Sequence, residues 1–158
     1  MEPVIAQAAA EYESATANFL AAFEKLSPGQ LDVKHPDGWS ARQVVHHLAD
    51  SEAQSYARLR RLVAEPEGCV IQGYDEQLWA DSPILGYEEL PIENSLAVFK
   101  AVRDASLDII RRLSAFDLER AGQHTDSGRY TISTWLANYS AHPNDHAEQL
   151  LRAAEGSL

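Results

Sequence analysis

Two histidines, His142 and His146, stand four residues apart in the segment YSAHPNDHAEQL (Tyr139–Leu150). On a helix that spacing places two imidazoles one turn apart on one face. They then reach a single cation at nitrogen–metal distances of roughly 2.0–2.1 Å for zinc. Trp135, Tyr139, His142, His146, Gln149 and Leu150 step along one seam by threes and fours, so the pair continues a stripe that faces a core. A buried neutral imidazole needs partners for its ring nitrogens. A metal ion meets that need and orients the ring, and so do backbone groups or hydroxyls around ordinary core histidines; the pair alone leaves both readings open. The spacing is that of the helical zinc-protease pattern, but that chemistry requires a glutamate directly after the first histidine. Pro143 stands there instead, which excludes that class.

A third ligand is available in GWSARQVVHHLADSE (Gly38–Glu52), as His46 or His47. With a turn of about 100° per residue, Val44, Val45, Leu48, Leu59, Leu62 and Val63 define an apolar stripe. His47 falls roughly 110° from its centre, at the inner boundary, and His46 roughly 150° away, facing outward. The geometry selects His47. Three histidines from two helices leave coordination positions open for water or substrate, the arrangement of a catalytic rather than a structural site. Zinc suits three imidazoles, and nickel, iron and manganese accept the same donors.

Other residues near these positions carry chemistry of their own. Glu52 falls near the centre of the same apolar stripe, an expensive place for a carboxylate. It reads as a proton acceptor, a partner of a ligand or a weak ligand, or else as a group that reaches solvent at a helix crossing or pairs across a dimer contact. Asp145, beside His146, is a second candidate for moving a proton. Tyr74 and Trp79, in GYDEQLWAD (Gly73–Asp81), lie in an irregular stretch with Asp75 and Glu76. Their rings either floor a pocket for an apolar substrate or anchor a loop on the core. Tyr139 and Gln149, one turn from the ligands, are placed to hydrogen-bond a water at the site. Cys69 has no adjacent cation to stabilise a thiolate and reads as a small loop hydrophobe.

The elements that must position these groups are helices. Apolar residues at helical spacing predict a first helix over 3–26, closed by SPGQ at Ser27–Gln30. Ser40 with Gln43 forms a capping-box pattern that opens a second helix running to Glu65, where Pro66 and Gly68 end it. A crossover with a short helix near Asp75–Ala80 leads to a third helix over Ile92–Leu113. Turn residues from Asp117 to Arg129 then precede Thr131, the N-cap of a last helix to Ala154, which Pro143 should kink near Tyr139. With no long alternating β-branched runs, the expectation is an all-α, antiparallel four-helix bundle with a long crossover between its second and third helices, a single domain over 1–158.

Composition narrows the partners. Thirteen Lys and Arg against 24 Asp and Glu give a net charge of −11, which repels nucleic acid and anionic membrane surfaces. A lone cysteine among 158 residues forms no internal disulfide, pointing to the cytoplasm. No run approaches the roughly 18–20 apolar residues of a membrane span.

Gly38–Glu52, Gly73–Asp81 and Tyr139–Leu150 together resemble the DinB/YfiT-like superfamily, and within it the bacillithiol S-transferase-like branch. The resemblance implies a four-helix bundle, a homodimer, and a divalent metal held by His47, His142 and His146, the same set that helix geometry selects. It further implies an enzyme that joins a small-molecule thiol to an electrophilic substrate or hydrolyses a related bond. Two features depart from that branch. Glu52 stands where it often has a further histidine, and Pro143, Asn144 and Asp145 replace a more histidine-rich linker.

Overall fold

The computed structural model describes residues 1–158. Four long helices form the body: α1 (Pro3–Glu24), α2 (Ala41–Ala64), α4 (Glu93–Ile110) and α5 (Ile132–Ala154), with a short α3 (Glu76–Ala80) in the crossover. The starts of α2 and α5 follow from their caps. Ser40 Oγ accepts from the Gln43 backbone N–H at 3.2 Å while Gln43 Oε1 accepts from the Ser40 N–H at 2.9 Å, the reciprocal pairing that satisfies two orphan donors. Thr131 Oγ1 accepts from the Thr134 N–H at 2.9 Å. α1 packs on α5 and α4, and α2 on α4 and α5.

A small sheet, which the sequence pattern does not announce, modifies the all-α expectation. β1 (Val70–Ile71), β2 (Ala121–His124) and β3 (Gly128–Thr131) pair in that order, β1 parallel and β3 antiparallel to β2. Strands of two to four residues are too short to show a period of two. The sheet stitches the start of the crossover to the hairpin that precedes α5, with Ile71 opposite His124 and the Gly73 N–H donating to Thr125 Oγ1 at 2.9 Å. Gly73 lies directly against the Asp126 side chain, which a Cβ there would displace, so crossover and hairpin approach closely at this point.

The core is split in two. One cluster gathers Tyr12, Leu59, Leu62, Ile71, Ile110, Ile132 and Trp135; the other gathers Phe19, Val44, Leu48, Phe99, Ala147 and Leu150. Each long helix contributes polar groups between the two clusters: Thr16 on α1, Glu52 and Ser55 on α2, Arg103 and Ser106 on α4, and the Tyr139 carbonyl on α5. Arg103, 1% exposed, ties this layer together. Its guanidinium donates to Glu52 Oε1 at 3.0 Å, Tyr12 O at 2.6 Å, Thr16 Oγ1 at 2.7 Å and Tyr139 O at 2.7 Å. It also lies 3.3 Å above the Tyr12 ring.

The Tyr139 carbonyl is available because of Pro143. Proline has no N–H to return to the carbonyl four residues earlier, and α5 continues as one helix through it while Arg103 fills the vacated bond. Burial pushes the Glu52 carboxyl up, to about 7, against the pull of Arg103. Removing one partner of such a pair leaves the other charge buried and uncompensated. Arg103→Met should therefore cost about 3–5 kcal/mol in urea unfolding, and Arg103→Met with Glu52→Leu should be more stable than Arg103→Met alone. Costs that simply add in the double variant would show that the two side chains do not act as a pair.

Candidate metal centre

His47 on α2 and His142 and His146 on α5 bring their Nε2 atoms together. His47 lies 3.3 Å from His142 and 3.1 Å from His146, and the two α5 histidines lie 2.9 Å apart. The three form one cluster able to hold a metal ion. Bonds of 2.0–2.1 Å to a common centre put ligand nitrogens about 3.3 Å apart at tetrahedral angles and about 2.9 Å apart at right angles. The observed edges span that interval, so the donors need little movement to take a cation in either geometry.

The ring chemistry agrees. Gln149 Oε1 lies 2.7 Å from His146 Nδ1 and can only accept from it. The His146 proton is therefore on Nδ1, and the Nε2 lone pair faces the cluster. Nδ1 of His47 and of His142 is buried without a protein partner. Burial holds all three rings neutral, His47 at about 3 and His142 at about 2, with His146 also below its ordinary value; neutral imidazole is the form that binds a metal. Trp39 covers His47, ring centroids 5.0 Å apart.

A cavity of about 450 Å³ opens beside His142. Glu76, the first residue of α3, reaches into it with Oε2 3.9 Å from His47 Nε2. Asp75 caps that short helix through Oδ1, which accepts from the Leu78 N–H at 2.9 Å, and so sets where Glu76 stands. Partial burial lifts the Glu76 carboxyl above its ordinary range while Arg58 pulls it down. Nothing in the spacing of the sequence marked Glu76 above its neighbours in the crossover; only the folding of α3 over the histidines does so.

The other expected residues fall in different places. His46 does not face outward. It is 5% exposed, 2.8 Å from Ser95 Oγ and 3.1 Å from Leu90 O, because α4 and the crossover cover the face of α2 that a single-stripe count assigns to solvent. Glu52 is fully buried against Arg103 and does not line the cavity. Gln149 holds His146 rather than facing a ligand in the cavity. Tyr74 and Tyr139 line the cavity, whereas Trp79 stands behind Tyr74 with ring centroids 4.6 Å apart. Asp145 lies at the cavity edge, exposed.

The lowered histidine pKa values give stability a defined pH dependence. The unfolded chain protonates His47 and His142 near 6.5 while the folded chain refuses those protons. Their contribution is thus present above pH 6.5 and lost as pH falls below it. In metal-free protein the two rings should pull the urea midpoint down from pH 6.5 to 4.5, partly offset by the raised Glu52 carboxyl, and His142→Ala should lessen that pull by up to about 1.4 kcal/mol per pH unit. An unchanged slope would mean that the ring titrates alike in both states.

Comparison with known proteins agrees with this architecture. The pattern defining the DinB superfamily matches residues 11–150. A protein of Oceanobacillus iheyensis, provisionally named a metal-dependent hydrolase, is 39% identical over 122 residues, 77% of this chain and 69% of its own length. A Bacillus mycoides protein with the same provisional name is 28% identical over 155 residues, 98% of this chain and 87% of its own. The solved structure of YfiT from Bacillus subtilis, described with that same provisional activity and an unusual four-helix bundle topology, superimposes with a TM-score of 0.84. It is 27% identical and covers 98% of this chain and 89% of its own. These relatives bear hydrolase names, not that of bacillithiol S-transferases. With the bundle, the clustered histidines and a pattern match along most of its length, the chain belongs to the DinB superfamily.

Proposed function

We propose that this protein is a metal-dependent hydrolase of small molecules, with His47, His142 and His146 as the ligands of a divalent cation, zinc being the best suited to three imidazoles. The observation that carries the reading is the convergence of three neutral Nε2 atoms within 3.3 Å beside a cavity into which a carboxylate, Glu76, also points. A bound cation supplies Lewis acidity that brings the pKa of water down towards neutrality. Glu76 accepts the proton from the attacking water as its oxygen bonds to the substrate's acyl carbon. The bond from that carbon to the leaving atom breaks, and Glu76 returns the proton to the leaving group, so that one water is consumed. Tyr74 and Tyr139 wall the cavity and hold the substrate against the histidines.

Transfer to a small-molecule thiol would use the same ligands. Glu76 favours hydrolysis over that alternative. A thiol, with an ordinary pKa of about 8.5, needs no carboxylate to deprotonate it once a cation is present, whereas water benefits from one.

Elemental analysis should find about one metal ion per chain, lost in His47→Ala and in His142→Ala. Chelation should abolish turnover of a panel of simple amides and esters, and full activity in metal-free protein would end the proposal. Glu76→Gln should keep its metal while kcat falls by about 10²–10⁴-fold. An unchanged kcat with metal in place would remove Glu76 from the mechanism.

A further inference from the structure

Away from the histidines, the same cavity ends in a wall of hydrogen-bond donors, and these have unspent capacity. Arg58, on α2, donates to Tyr139 Oη at 3.1 Å and to Gln72 O at 2.8 Å, two of its five N–H groups; its Nε is buried without a partner. No carboxylate lies within ion-pair distance of it; six of the chain's arginines, Arg42, Arg61, Arg103, Arg111, Arg129 and Arg152, have one, while Arg60, Arg112 and Arg120, which like Arg58 have none, do not line the cavity. Around it, Tyr139 Oη receives a proton from Arg58, and Tyr130 Oη receives one from Asn138 Nδ2 at 3.4 Å. Each hydroxyl therefore keeps its own proton to give. His124 Nδ1 accepts the backbone N–H groups of Asp126 and Ser127 at 3.2 and 3.3 Å, which places the ring proton on Nε2. Arg58, Tyr130, Tyr139 and His124 all line the cavity.

Two of the three acids of the cavity lie away from this wall. Glu76 is turned to His47 and Asp145 adjoins His146; Asp126, whose Oδ2 lies 4.0 Å from His124 Nδ1, is the one acid beside the donor wall, and its side chain is 72% exposed on the hairpin turn. One guanidinium without a direct ion pair, among neutral donors, suits a single negative charge shared over two oxygens, which accepts forked N–H bonds. A phosphate dianion would meet too little positive charge. Tyr139 sets the spacing: its hydroxyl takes Arg58 and its ring lies edge-on to His142, centroids 6.1 Å apart.

We infer that Arg58, with Tyr130, Tyr139 and His124, binds a carboxylate on the substrate, so that the molecule cleaved at the histidines is a small amide or ester carrying a carboxylate a few bonds from the scissile bond. This rests on the hydrolase reading for the cleavage, but the carboxylate recognition itself is testable without turnover.

The probes are hippurate, an amide with a terminal carboxylate, and its neutral counterpart hippuramide, titrated calorimetrically into metal-loaded and into chelator-treated protein. Hippurate should bind about 10- to 100-fold more tightly than hippuramide in both forms of the protein. Arg58→Met should abolish that preference with metal content unchanged, and Arg58→Lys should restore part of it. Asn138→Asp, at an exposed position of the cavity wall, should also erase the preference, and it does not depend on how well the Arg58 variants fold. Equal binding of the two probes, binding of neither, or a preference that survives Arg58→Met would overturn the inference. So would a preference confined to metal-loaded protein, since the carboxylate would then sit on the metal. A hippurate preference in a protein that hydrolyses nothing would remove the hydrolase reading and leave the carboxylate site standing.

Discussion

Four helices meet on one guanidinium. Arg103 reaches the Tyr12 and Tyr139 carbonyls, the Thr16 hydroxyl and the Glu52 carboxylate, and these come from α1, α5, α1 and α2. An apolar core holds four helices together, but its driving force is non-directional. A buried charge with directional partners does not tolerate sliding or rotation, because each displaced bond strands a group away from water. The layer around Arg103 therefore fixes the rotation and height of α5 relative to α2. That relation is the one the histidine cluster needs, since one member stands on α2 and two on α5.

Pro143 belongs to the same constraint. It lies between the two α5 histidines and releases the carbonyl that Arg103 takes, so the residue that weakens the helix locally also anchors it to α4 at that height. The arginine's field adds to the burial that keeps His142 neutral. One interaction thus helps set where the clustered histidines stand and helps keep His142 neutral.

The sequence made the bundle and the histidine cluster legible because both express helical periodicity. The Ser40–Gln43 box, the Thr131 cap and the four-residue step from His142 to His146 are local patterns, and the structure repeats them within a residue or two. His47 was separable from His46 by angle, yet the same count misplaced His46, since it supposes one buried face and α2 has neighbours on several sides. Glu52 stood out as a carboxylate on an apolar stripe, but its partner lies 51 residues away on α4, and no spacing rule reaches that far. Glu76, Arg58 and His124 meet through the crossover and hairpin, whose short strands carry no periodic signal. Contacts of that kind are decided by tertiary packing alone.

The small sheet divides the molecule's labour along a line that evolution can use. Every histidine of the cluster sits on a long helix gripped by the core, whereas Glu76, Tyr74, His124 and Tyr130 ride on segments joined to one another by β1, β2 and β3. Insertions, deletions or exchanges in the crossover and hairpin can therefore redraw the far wall of the cavity while the cluster keeps its shape. Relatives built on this plan can inherit one reactive centre and diversify what it acts on, and a designer wishing to retarget the protein would graft those two loops together, as a pair, and leave the helices alone.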